Sequence, residues 1–510
     1  MTARNAIDPD LWWHLRTGQW IVETGHVPHS DPFSFTRAGH LWVPHEWLSE
    51  VVFYELWKHG GAAALIIFSA TITTVGFMLL YLRCPGRRHW AAAGTIFGAL
   101  AAAPCWGTRP QMFTFTMASL LLWLVEAGEK RPKLLLWIPP LFLLWLNLHA
   151  GFALGPALLL AYGVGLLVET AAGNTPWPEA RPTILRVLLL LLACLALVPL
   201  NPSGTHLYLY PLETLRSSGM RSFIAEWRSP DFHQSLYRPL LVVWLLVLTA
   251  LASFHSRPKG RVLAPLLLTS VAALDAVRHI PIFVLVAIPV IVASLPACIE
   301  TAISGAQRTH LRNARSPSRT HRRFQTAFNG CIVIFLALFA FAKWVSLARG
   351  QDAREAEVFP QKAVALLRAG NYPRNIFVFY DWGGYAIWKL YPQYRVFVDG
   401  RADLYGEDLM RQSMKTVVEL RHGWRDILDT WRVDALLLPP SCALAQALFL
   451  DSRWRSVFSD SKAVLLLRPS STVENAGITV ENADITKGST PRSVPKREKI
   501  FPRARPNLRN

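Results

Sequence analysis

Cysteine is scarce in this sequence, and no two cysteines have the Cys-x-x-Cys spacing. That spacing is typical of zinc sites and dithiol redox sites, so neither kind of site is indicated. Five of the six cysteines lie within or near the ends of apolar runs, which favours buried membrane cysteines over disulfides. An HExxH motif is also lacking, because no second histidine follows His45 and Glu46 at the required spacing. A zinc protease of that type is therefore not supported.

Acidic side chains are few and unevenly distributed. The chain has 34 Asp and Glu against 53 Lys and Arg, a net charge of +19, and no acidic residue occurs between Glu55 and Glu126. Residues 1–60 are the exception, with seven acidic and four basic side chains and a net charge of −3. Elsewhere the basic residues cluster in short loops between apolar runs, as they do in membrane proteins. Nucleic-acid binding is therefore not expected.

Long apolar runs are abundant. Hydrophobic residues make up 52% of the 510 residues, and the mean hydropathy is +0.25. An uncharged run of roughly 20 residues is long enough to span a hydrocarbon core of ~30 Å. Candidate spans lie at 62–82, 90–105, 112–125, 134–147, 151–168, 184–200, 239–254, 262–277, 280–298 and 327–347. We therefore predict a polytopic α-helical membrane protein with about ten transmembrane helices, occupying residues 61–347.

Loop charge predicts the orientation of these spans. Basic residues follow the first, third, seventh and ninth spans: Arg83, Arg87 and Arg88; Lys130, Arg131 and Lys133; His255, Arg257, Lys259 and Arg261; Arg308, Arg312, Arg315, Arg319, Arg322 and Arg323. If each span crosses once, these loops are cytoplasmic. Residues 1–60 and those after 347 then lie outside, on the periplasmic face of an inner or plasma membrane. Because an external segment of 60 residues is hard to translocate alone, we expect a further helix before residue 1.

A soluble external α/β domain is predicted for residues 348–468. The expected elements are a helix at 352–369, strands at 375–381 and 394–400, a helix at 407–420, and strands at 434–440 and 462–468. Residues 469–510 are polar and basic and have no apolar period, which is typical of a disordered tail.

With this topology the unusual polar residues fall on one side of the membrane. The external side receives the acidic segment, the α/β domain and several polar residues at the ends of spans: Arg109, Asn147, His149, Asn201, Glu226, Arg278 and His279. The cytoplasmic loops hold basic residues and little else. This asymmetry predicts an active site or a binding cleft at the external membrane surface.

The external segment at 1–60 is acidic and aromatic and contains a predicted helix. Asp8 can cap this helix with Pro9 at its first position, and Gly25 can end it. Its tryptophans and apolar residues would let it lie in the membrane interface: Leu11, Leu15 and Ile21. A capped interfacial helix leaves one group of polar residues unexplained: Asp10, His14, Asp31, His45 and Glu46.

Three further positions have both a structural and a functional interpretation. Asp275 and Arg278 are three residues apart on one helical face, so they form a local ion pair or leave Arg278 free to bind a phosphate. Asp381 precedes two glycines at the end of a predicted strand, where backbone amides suit a ligand as well as a turn. Asp399 and Arg401 follow a strand in the same way.

These features resemble the GT-C class of membrane glycosyltransferases, specifically the catalytic subunits of oligosaccharyltransferases. The segment DPDLWWHLRTGQWIVETG resembles their acidic first external loop, and the resemblance implies a base or metal-binding role for Asp10. IAEWRSP resembles the external-loop glutamate motif and implies a catalytic role for Glu226. The late arginine that contacts the donor phosphate matches Arg278. YDWGGY resembles the WWDYG motif and implies acceptor recognition by Tyr380, Asp381, Trp382 and Gly383.

The resemblance covers most of residues 8–405, with two departures. The family's second acidic motif completes its metal site, but here GTRPQ, with Arg109, stands roughly in its place. A Mg²⁺- or Mn²⁺-dependent mechanism and a metal-independent one both stay open. YDWGGY changes the order of the aromatics, so recognition of a peptide sequon is not implied. Protein mannosyltransferases and lipid A aminosugar transferases, which use polyprenyl-monophosphate sugars, share the fold and the acidic loop.

We therefore expect a glycosyltransferase that moves a sugar from a polyprenyl-phosphate or polyprenyl-diphosphate donor to an external protein, glycan or lipid acceptor. The predicted catalytic residues are Asp10, Glu226 and Arg278, with Asp10 also a candidate metal ligand. The predicted substrate-binding residues are His14, Asp31, His45, Glu46, Arg109, His149, His279, Tyr380, Asp381, Trp382, Gly383, Asp399 and Arg401. The alternative is a non-enzymatic membrane scaffold or a lipid or solute transporter. The sequence shows no internal repeat, which disfavours a transporter.

Overall fold

A computed structural model describes residues 3–252, 259–304 and 319–468. The polar tail at 469–510 and parts of two predicted basic loops, 253–258 and 305–318, lie outside the described residues. Helices dominate the chain up to residue 349, and a small mixed sheet with its own helices follows. The predicted architecture, a helical membrane domain followed by an α/β domain, is confirmed.

Thirteen helices precede the α/β domain in the described residues. They are α1 (Leu11–Thr24), α2 (Trp47–Arg83), α3 (Arg88–Ala101), α4 (Gln111–Gly128), α5 (Ile138–Leu148), α6 (Leu154–Ala171), α7 (Trp177–Leu197), α8 (Tyr210–Arg216), α9 (Ser218–Phe223), α10 (Arg238–Ala252), α11 (Gly260–Asp275), α12 (Ile280–Ser304) and α13 (Arg319–Arg349). Each of the ten predicted spans overlaps one of these helices.

Seven helical segments of the described chain are long and apolar enough to cross a membrane, judged by length and composition. They are Trp47–Arg83, Gln111–Gly128, Ala150–Ala171, Trp177–Leu200, Ser235–Ala252, Val277–Ser294 and Ala327–Arg349. The helices α3, α5 and α11 also coincide with predicted spans but have only 11 to 16 residues. The chain is a multi-pass membrane protein.

The packing of the helices separates a protein-facing core from a lipid-facing surface. The helix α12 packs against α3, α10 and α11, and its Phe283, Val284 and Leu285 are fully buried. By contrast, Phe335 and Phe339 of α13 are exposed. Apolar side chains on an outer helix contact hydrocarbon when the protein is in a bilayer, so this exposure fits a membrane-embedded helix.

Helix α1 carries the acidic segment into the protein. The helix ends at Gly25 with a φ of 72°, as predicted, but it begins at Leu11 and not at Pro9. The Asp8 side chain accepts the backbone N–H of Asp10 at 3.0 Å. Its apolar residues Leu11 and Leu15 are fully buried where α1 packs against α2 and a helix of the α/β domain. The prediction that this face lies in the membrane interface is therefore wrong, because protein covers it.

The α/β domain contains a five-stranded mixed sheet. Its helices are α14 (Gln351–Val358), α15 (Gln361–Ala369), α16 (Gly383–Leu390), α17 (Ala402–Met414), α18 (Trp424–Thr430) and α19 (Ala443–Phe449). Its strands are β1 (Asn375–Val378), β2 (Arg395–Val396), β3 (Ala435–Leu438), β4 (Arg455–Ser459) and β5 (Val464–Leu467). The order is β2-β1-β3-β5-β4, with β1 parallel to β2 and β3, and β5 antiparallel to β3 and β4.

The sequence predicted most of these elements, with some differences in extent. One predicted helix at 352–369 is two, because Phe359 is extended before Pro360, as the residue before a proline tends to be. The strand predicted at 375–381 ends at Val378. Strand β4 was not predicted. Because β1 is parallel to β2, the two strands end at the same edge of the sheet. Gly384 and Gly400, which follow these strands in the sequence, lie against Pro9 and Asp10.

Candidate active site

A cavity of about 1440 Å³ lies between the helical domain and the α/β domain. Its wall includes the N-termini of α1 and α4 and the 3-10 turns at Ala225–Trp227 and Val277–His279. Most of the predicted site residues line it: Asp10, His14, His45, Glu46, Arg109, His149, Glu226, Arg278, His279, Tyr380, Asp381 and Arg401. These residues come from eight parts of the sequence, and Asp10, Glu226 and Arg278 all line this one cavity.

Arg109 is the centre of a cluster of carboxylates. Its Nη1 lies 2.6 Å from Glu226 Oε2, its Nη2 lies 3.6 Å from Asp10 Oδ2, and its Nε contacts Asp8 Oδ2. The arginine stands just before α4, the two aspartates just before α1, and Glu226 in a 3-10 turn. One guanidinium therefore joins three separate segments of the chain at the cavity wall.

The carboxyl group of Asp10 has an unusual acidity. Although 32% of its side-chain surface is exposed to the cavity, protein surrounds the group. This burial raises the pKa of Asp10 to about 7, against the opposing effect of Arg109, and the carboxylates of Asp8 and Glu226 raise it further. A β-carbon at position 400 would overlap Asp10 Oδ1, so Gly400 lets the α/β domain approach this carboxyl group. A group with this pKa is suited to accept a proton near neutral pH.

Arg278 faces the same cluster from the turn before α12. Its Nη1 lies 3.8 Å from Glu226 Oε1, and its guanidinium lies 4.2 Å from the centre of the Trp227 indole ring. Of the two interpretations of this position, the ion pair with Asp275 does not form, because α11 ends at Asp275, which pairs instead with Arg221 at 3.6 Å. Burial would raise the pKa of Glu226, but the two arginines lower it below its usual value, so this carboxylate is charged.

A second polar cluster surrounds Glu46. His45 Nε2 and His149 Nε2 lie 3.3 and 3.8 Å from Glu46 Oε1, and His14 Nε2 lies 4.0 Å from Oε2. The other ring nitrogen of His14 lies 3.3 Å from Oε1 of Glu50, which is fully buried. Oε2 of Glu50 makes no hydrogen bond within residues 3–252, 259–304 and 319–468.

Burial determines the charge of this second cluster. It lowers the pKa of His14 to about 3 and that of His149 to about 4, in each case against the effect of Glu46. Both rings are therefore neutral near pH 7. Burial also opposes ionisation of Glu46, but the surrounding histidines lower its pKa below the usual value. Burial opposes protonation of His45, but its hydrogen bond to Glu46 raises its pKa above the usual value. A charged carboxylate beside the neutral imidazoles of His14 and His149 offers both donors and acceptors to a polyhydroxylated ligand.

Asn147 and Asn201, which the sequence predicts on the external side of the membrane, position this cluster. Asn201 Nδ2 donates to the backbone oxygen of His45 at 3.0 Å and lies 3.1 Å from Asn147 Oδ1. Trp47 Nε1 donates to the same oxygen of Asn147 at 2.7 Å. These contacts fix the segment just before α2, which carries His45 and Glu46.

Asp31, Asp399 and Arg401 form a buried network. Arg401 Nη1 donates to Asp31 at 2.8 Å, and its Nη2 donates to Asp399 at 2.7 Å. Its guanidinium also lies 4.4 Å from the centre of the Trp42 ring. Both carboxylates are fully buried and do not line the cavity. With Arg401 they form a structural ion-pair network, here called the clasp, that joins the N-terminal segment to the α/β domain. The substrate contacts predicted for Asp31 and Asp399 are therefore corrected, and only Arg401 reaches the cavity wall.

The YDWGGY segment contributes two of its four predicted residues to the cavity, Tyr380 and Asp381. Trp382 points away, and its Nε1 donates to the backbone of Val358 at 3.1 Å. Gly383 packs closely against the backbone of Val398 and Asp399, which leaves no room for a β-carbon at this position. Substrate contacts predicted for Trp382 and Gly383 are therefore not supported by their positions. Burial raises the pKa of Asp381 above its usual value.

Several residues of the cavity were not predicted as site residues: Trp13, Trp42, Glu50, Thr114, Tyr210 and Trp227. One signal was present in the sequence. Glu50 follows Glu46 by four residues, as His14 follows Asp10, and this spacing places side chains on one face of a helix. Thr114 hydrogen-bonds to His149 Nδ1 at 2.7 Å. Nothing in the local sequence marks that contact.

A metal ion would need several ligand side chains around one point. Within residues 3–252, 259–304 and 319–468, no group of three or more His, Cys, Asp and Glu side chains is arranged so that it could hold a metal ion. Asp10, the predicted metal ligand, has Arg109 beside its carboxylate.

No protein-family model and no curated protein sequence matches this chain. Solved structures do match its fold. One is the archaeal oligosaccharyltransferase AglB from Archaeoglobus fulgidus in complex with an inhibitory peptide and a dolichol-phosphate, with 11% identity, a TM-score of 0.50 and coverage of 86% of this chain. Another is ArnT from Cupriavidus metallidurans bound to undecaprenyl phosphate, with 14% identity, a TM-score of 0.45 and coverage of 92% of this chain and 95% of ArnT. The chain spans 66% of the length of the AglB structure, and identities this low establish the fold alone. The fold of this chain is similar to that of the archaeal oligosaccharyltransferase, as the sequence resemblance predicted.

Proposed function

We propose that this protein is an integral membrane glycosyltransferase that moves a sugar from a polyprenyl-phosphate or polyprenyl-diphosphate donor to an acceptor on the external face of the membrane. One observation carries the proposal. The carboxyl group of Asp10, with a pKa raised to about 7, shares one cavity with the guanidinium of Arg278. A base and a cation in one cavity are the two groups that glycosyl transfer from a lipid phosphate requires.

The reaction assigns a role to each of these groups. The acceptor oxygen or nitrogen attacks the anomeric carbon and loses its proton to Asp10. The bond between the anomeric carbon and the phosphate oxygen breaks, and its electron pair stays on the phosphate. Arg278 stabilises this developing negative charge, because it lines the cavity and its one carboxylate partner among the described residues, Glu226, lies 3.8 Å away.

The walls of the cavity suit the rest of a lipid-linked donor. Apolar side chains of the membrane helices line one side, among them Leu154, Leu158, Leu268 and Ile282. This surface would hold the first part of the polyprenyl chain, since burying it there removes it from water. The phosphate would then lie near Arg278, at the edge of the membrane domain.

The polar residues of the cavity would make the remaining contacts, those with the sugar and with the acceptor. His14, Glu46 and His149 offer donors and acceptors to the sugar hydroxyls. Tyr380 and Asp381 lie in the wall that the α/β domain supplies and would contact the acceptor. A divalent cation is assigned no step, because the described His, Cys, Asp and Glu side chains do not form a group that could hold one.

The proposal is tested by transfer in reconstituted membranes. The purified full-length protein is reconstituted with radiolabelled polyprenyl-linked sugars and an extract of envelope acceptors. We expect transfer by the wild type and a loss of about 10²-fold or more in the Asp10→Asn variant, the size of effect expected for a general base. Asp352→Asn, which changes an exposed carboxylate of α14, is the matched control and should transfer at the wild-type rate.

Two results would contradict the proposal. Equal transfer by the wild type and Asp10→Asn would remove Asp10 from the mechanism. If no donor supports transfer although polyprenyl phosphate still binds, the protein is better described as a lipid-binding scaffold of the same fold.

A further inference from the structure

The guanidinium of Arg109 uses each of its three nitrogens on a different carboxylate. Nε contacts Asp8, Nη1 contacts Glu226 at 2.6 Å, and Nη2 lies 3.6 Å from Asp10. Carboxylates are the ligands that a divalent cation takes, but with Arg109 between them these three do not form a group that could hold one in the described residues. We infer that Arg109 is the fixed cation of this site and takes the place of a bound metal ion in holding the three carboxylates.

The chemistry of arginine fits this role. Carboxylates that are removed from water repel one another and need a cation between them. The planar guanidinium stays charged at any physiological pH and presents donors in three directions, which an ammonium group on a flexible chain does not reproduce. Arg109 is also held in position, since it lies directly before Pro110 and the first turn of α4.

The two arginines of the cavity then have different roles. All three nitrogens of Arg109 already face carboxylates, whose negative charge opposes the approach of a phosphate. Within the described part of the chain, Arg278 has one carboxylate partner, at 3.8 Å, and its guanidinium lies over the Trp227 ring. Arg109 is therefore a positioning residue that holds Asp10, and Arg278 is the residue that meets the phosphate. This division rests on the proposed function, but the role of Arg109 as a cation does not depend on the donor.

The sequence supports the same assignment. The region from Glu55 to Glu126 contains no acidic residue, and Arg109 lies within it. The third carboxylate of the cluster comes from Glu226, 117 residues further along the chain. Arg109 and Glu226 thus form an ion pair, in which each side chain compensates the charge of the other.

Binding of Mn²⁺ tests the inference without any sugar donor. Electron paramagnetic resonance of the solubilised full-length protein measures how much Mn²⁺ is bound. We expect the wild type to show no Mn²⁺ binding that depends on Asp10. Arg109→Ala removes the guanidinium and should create a Mn²⁺ site, which the double variant Arg109→Ala with Asp10→Asn should lose. Arg278→Ala removes an equal charge from the same cavity but leaves Arg109 in place, and it should not gain the site.

A second measurement covers the case in which Arg109→Ala folds poorly. Its melting temperature should be several degrees below that of the wild type, and added guanidinium ion at low millimolar concentration should raise it again. The same concentration of guanidinium should not raise the melting temperature of Arg278→Ala. Arg109→Lys should restore the melting temperature only in part, because one ammonium cannot address three carboxylates.

The inference is overturned if the wild type binds Mn²⁺ and Asp10→Asn abolishes that binding. It is also overturned if neither Mn²⁺ nor guanidinium has any effect on Arg109→Ala. Sugar transfer is measured separately, with and without EDTA. Loss of wild-type transfer in EDTA and its recovery with Mn²⁺ would refute the inference while the proposed function stands. Absence of transfer together with the expected Mn²⁺ results would refute the proposed function alone.

Discussion

Asp10 combines a position before a helix with an environment that changes its acidity. Burial raises the pKa of Asp10 to about 7, so the group is largely protonated at pH 5 and ionised at pH 9. Only the ionised form accepts a proton from the acceptor. We therefore expect kcat/KM for sugar transfer to rise with pH, with an inflection near about 7, and to level off above it. Initial rates at low donor concentration between about pH 5 and pH 9 measure this profile.

The control for this prediction is the residual activity of Asp10→Asn, which should show no inflection near neutral pH. His45 is a second candidate source of such an inflection, since burial opposes its protonation but its hydrogen bond to Glu46 raises its pKa above the usual value; an inflection that persists in Asp10→Asn would belong to His45. The other two histidines of the cluster are a poor source of it. Burial lowers the pKa of His14 to about 3 and that of His149 to about 4, outside the range in question. An inflection near about 4, the ordinary value for a carboxyl group, would show that Asp10 is not perturbed in this way.

At the scale of elements, the clasp formed by Arg401 attaches the α/β domain to the segment between α1 and α2. Arg401→Ala would leave Asp31 and Asp399 buried without a cation. Breaking a buried ion pair by removing one partner costs about 3–5 kcal/mol, because the remaining charge stays uncompensated. We therefore expect a marked fall in melting temperature, measured by tryptophan fluorescence of the solubilised protein, and a loss of transfer as Tyr380 and Asp381 lose their fixed position.

Arg354→Ala is the matched control for Arg401→Ala. Arg354 pairs with Glu357 at 2.6 Å on the surface of the same domain, with both side chains well exposed. Exposed pairs contribute about 1 kcal/mol or less, so this variant should melt close to the wild type. Equal melting temperatures for the two variants would show that the clasp does not hold the domain.

The elements themselves were largely predictable, because hydropathy and periodicity act locally. The ten apolar runs all contain helices, and the buried strands β3 and β5 lie where apolar runs occur in a polar context. Strand β4 was missed because RSVFS lies at the edge of the sheet and buries only Val457 fully. The break between α14 and α15 was missed although Pro360 marked it.

At the scale of the whole molecule, the sequence predicted which residues are unusual but not how they pair. Asp10, Glu226 and Arg278 were predicted together by resemblance, and they share a cavity. By contrast, the pairing of Asp31 with Arg401 joins residues 370 positions apart, and it turns a predicted substrate-binding aspartate into a buried structural one. Such pairings depend on how the α/β domain folds back onto α1. No local pattern records that contact.

The charge distribution of the whole chain leads to a last prediction, its orientation. The cavity lies at one end of the helical domain, and the connections after α2 and α4, with Arg83, Arg88 and Arg131, belong to the other end. Loops rich in arginine and lysine stay in the cytoplasm, so the cavity and the α/β domain are expected on the external face.

Single-cysteine variants test this on a background in which the six native cysteines are replaced. A membrane-impermeant maleimide applied to intact spheroplasts should label the Asp352→Cys variant and should label Arg131→Cys only after the membrane is opened, both positions being exposed on the protein surface. The reverse pattern would place the cavity in the cytoplasm and would require a cytoplasmic acceptor, whereas the expected pattern gives the lipid-linked donor and an envelope acceptor access to the same side.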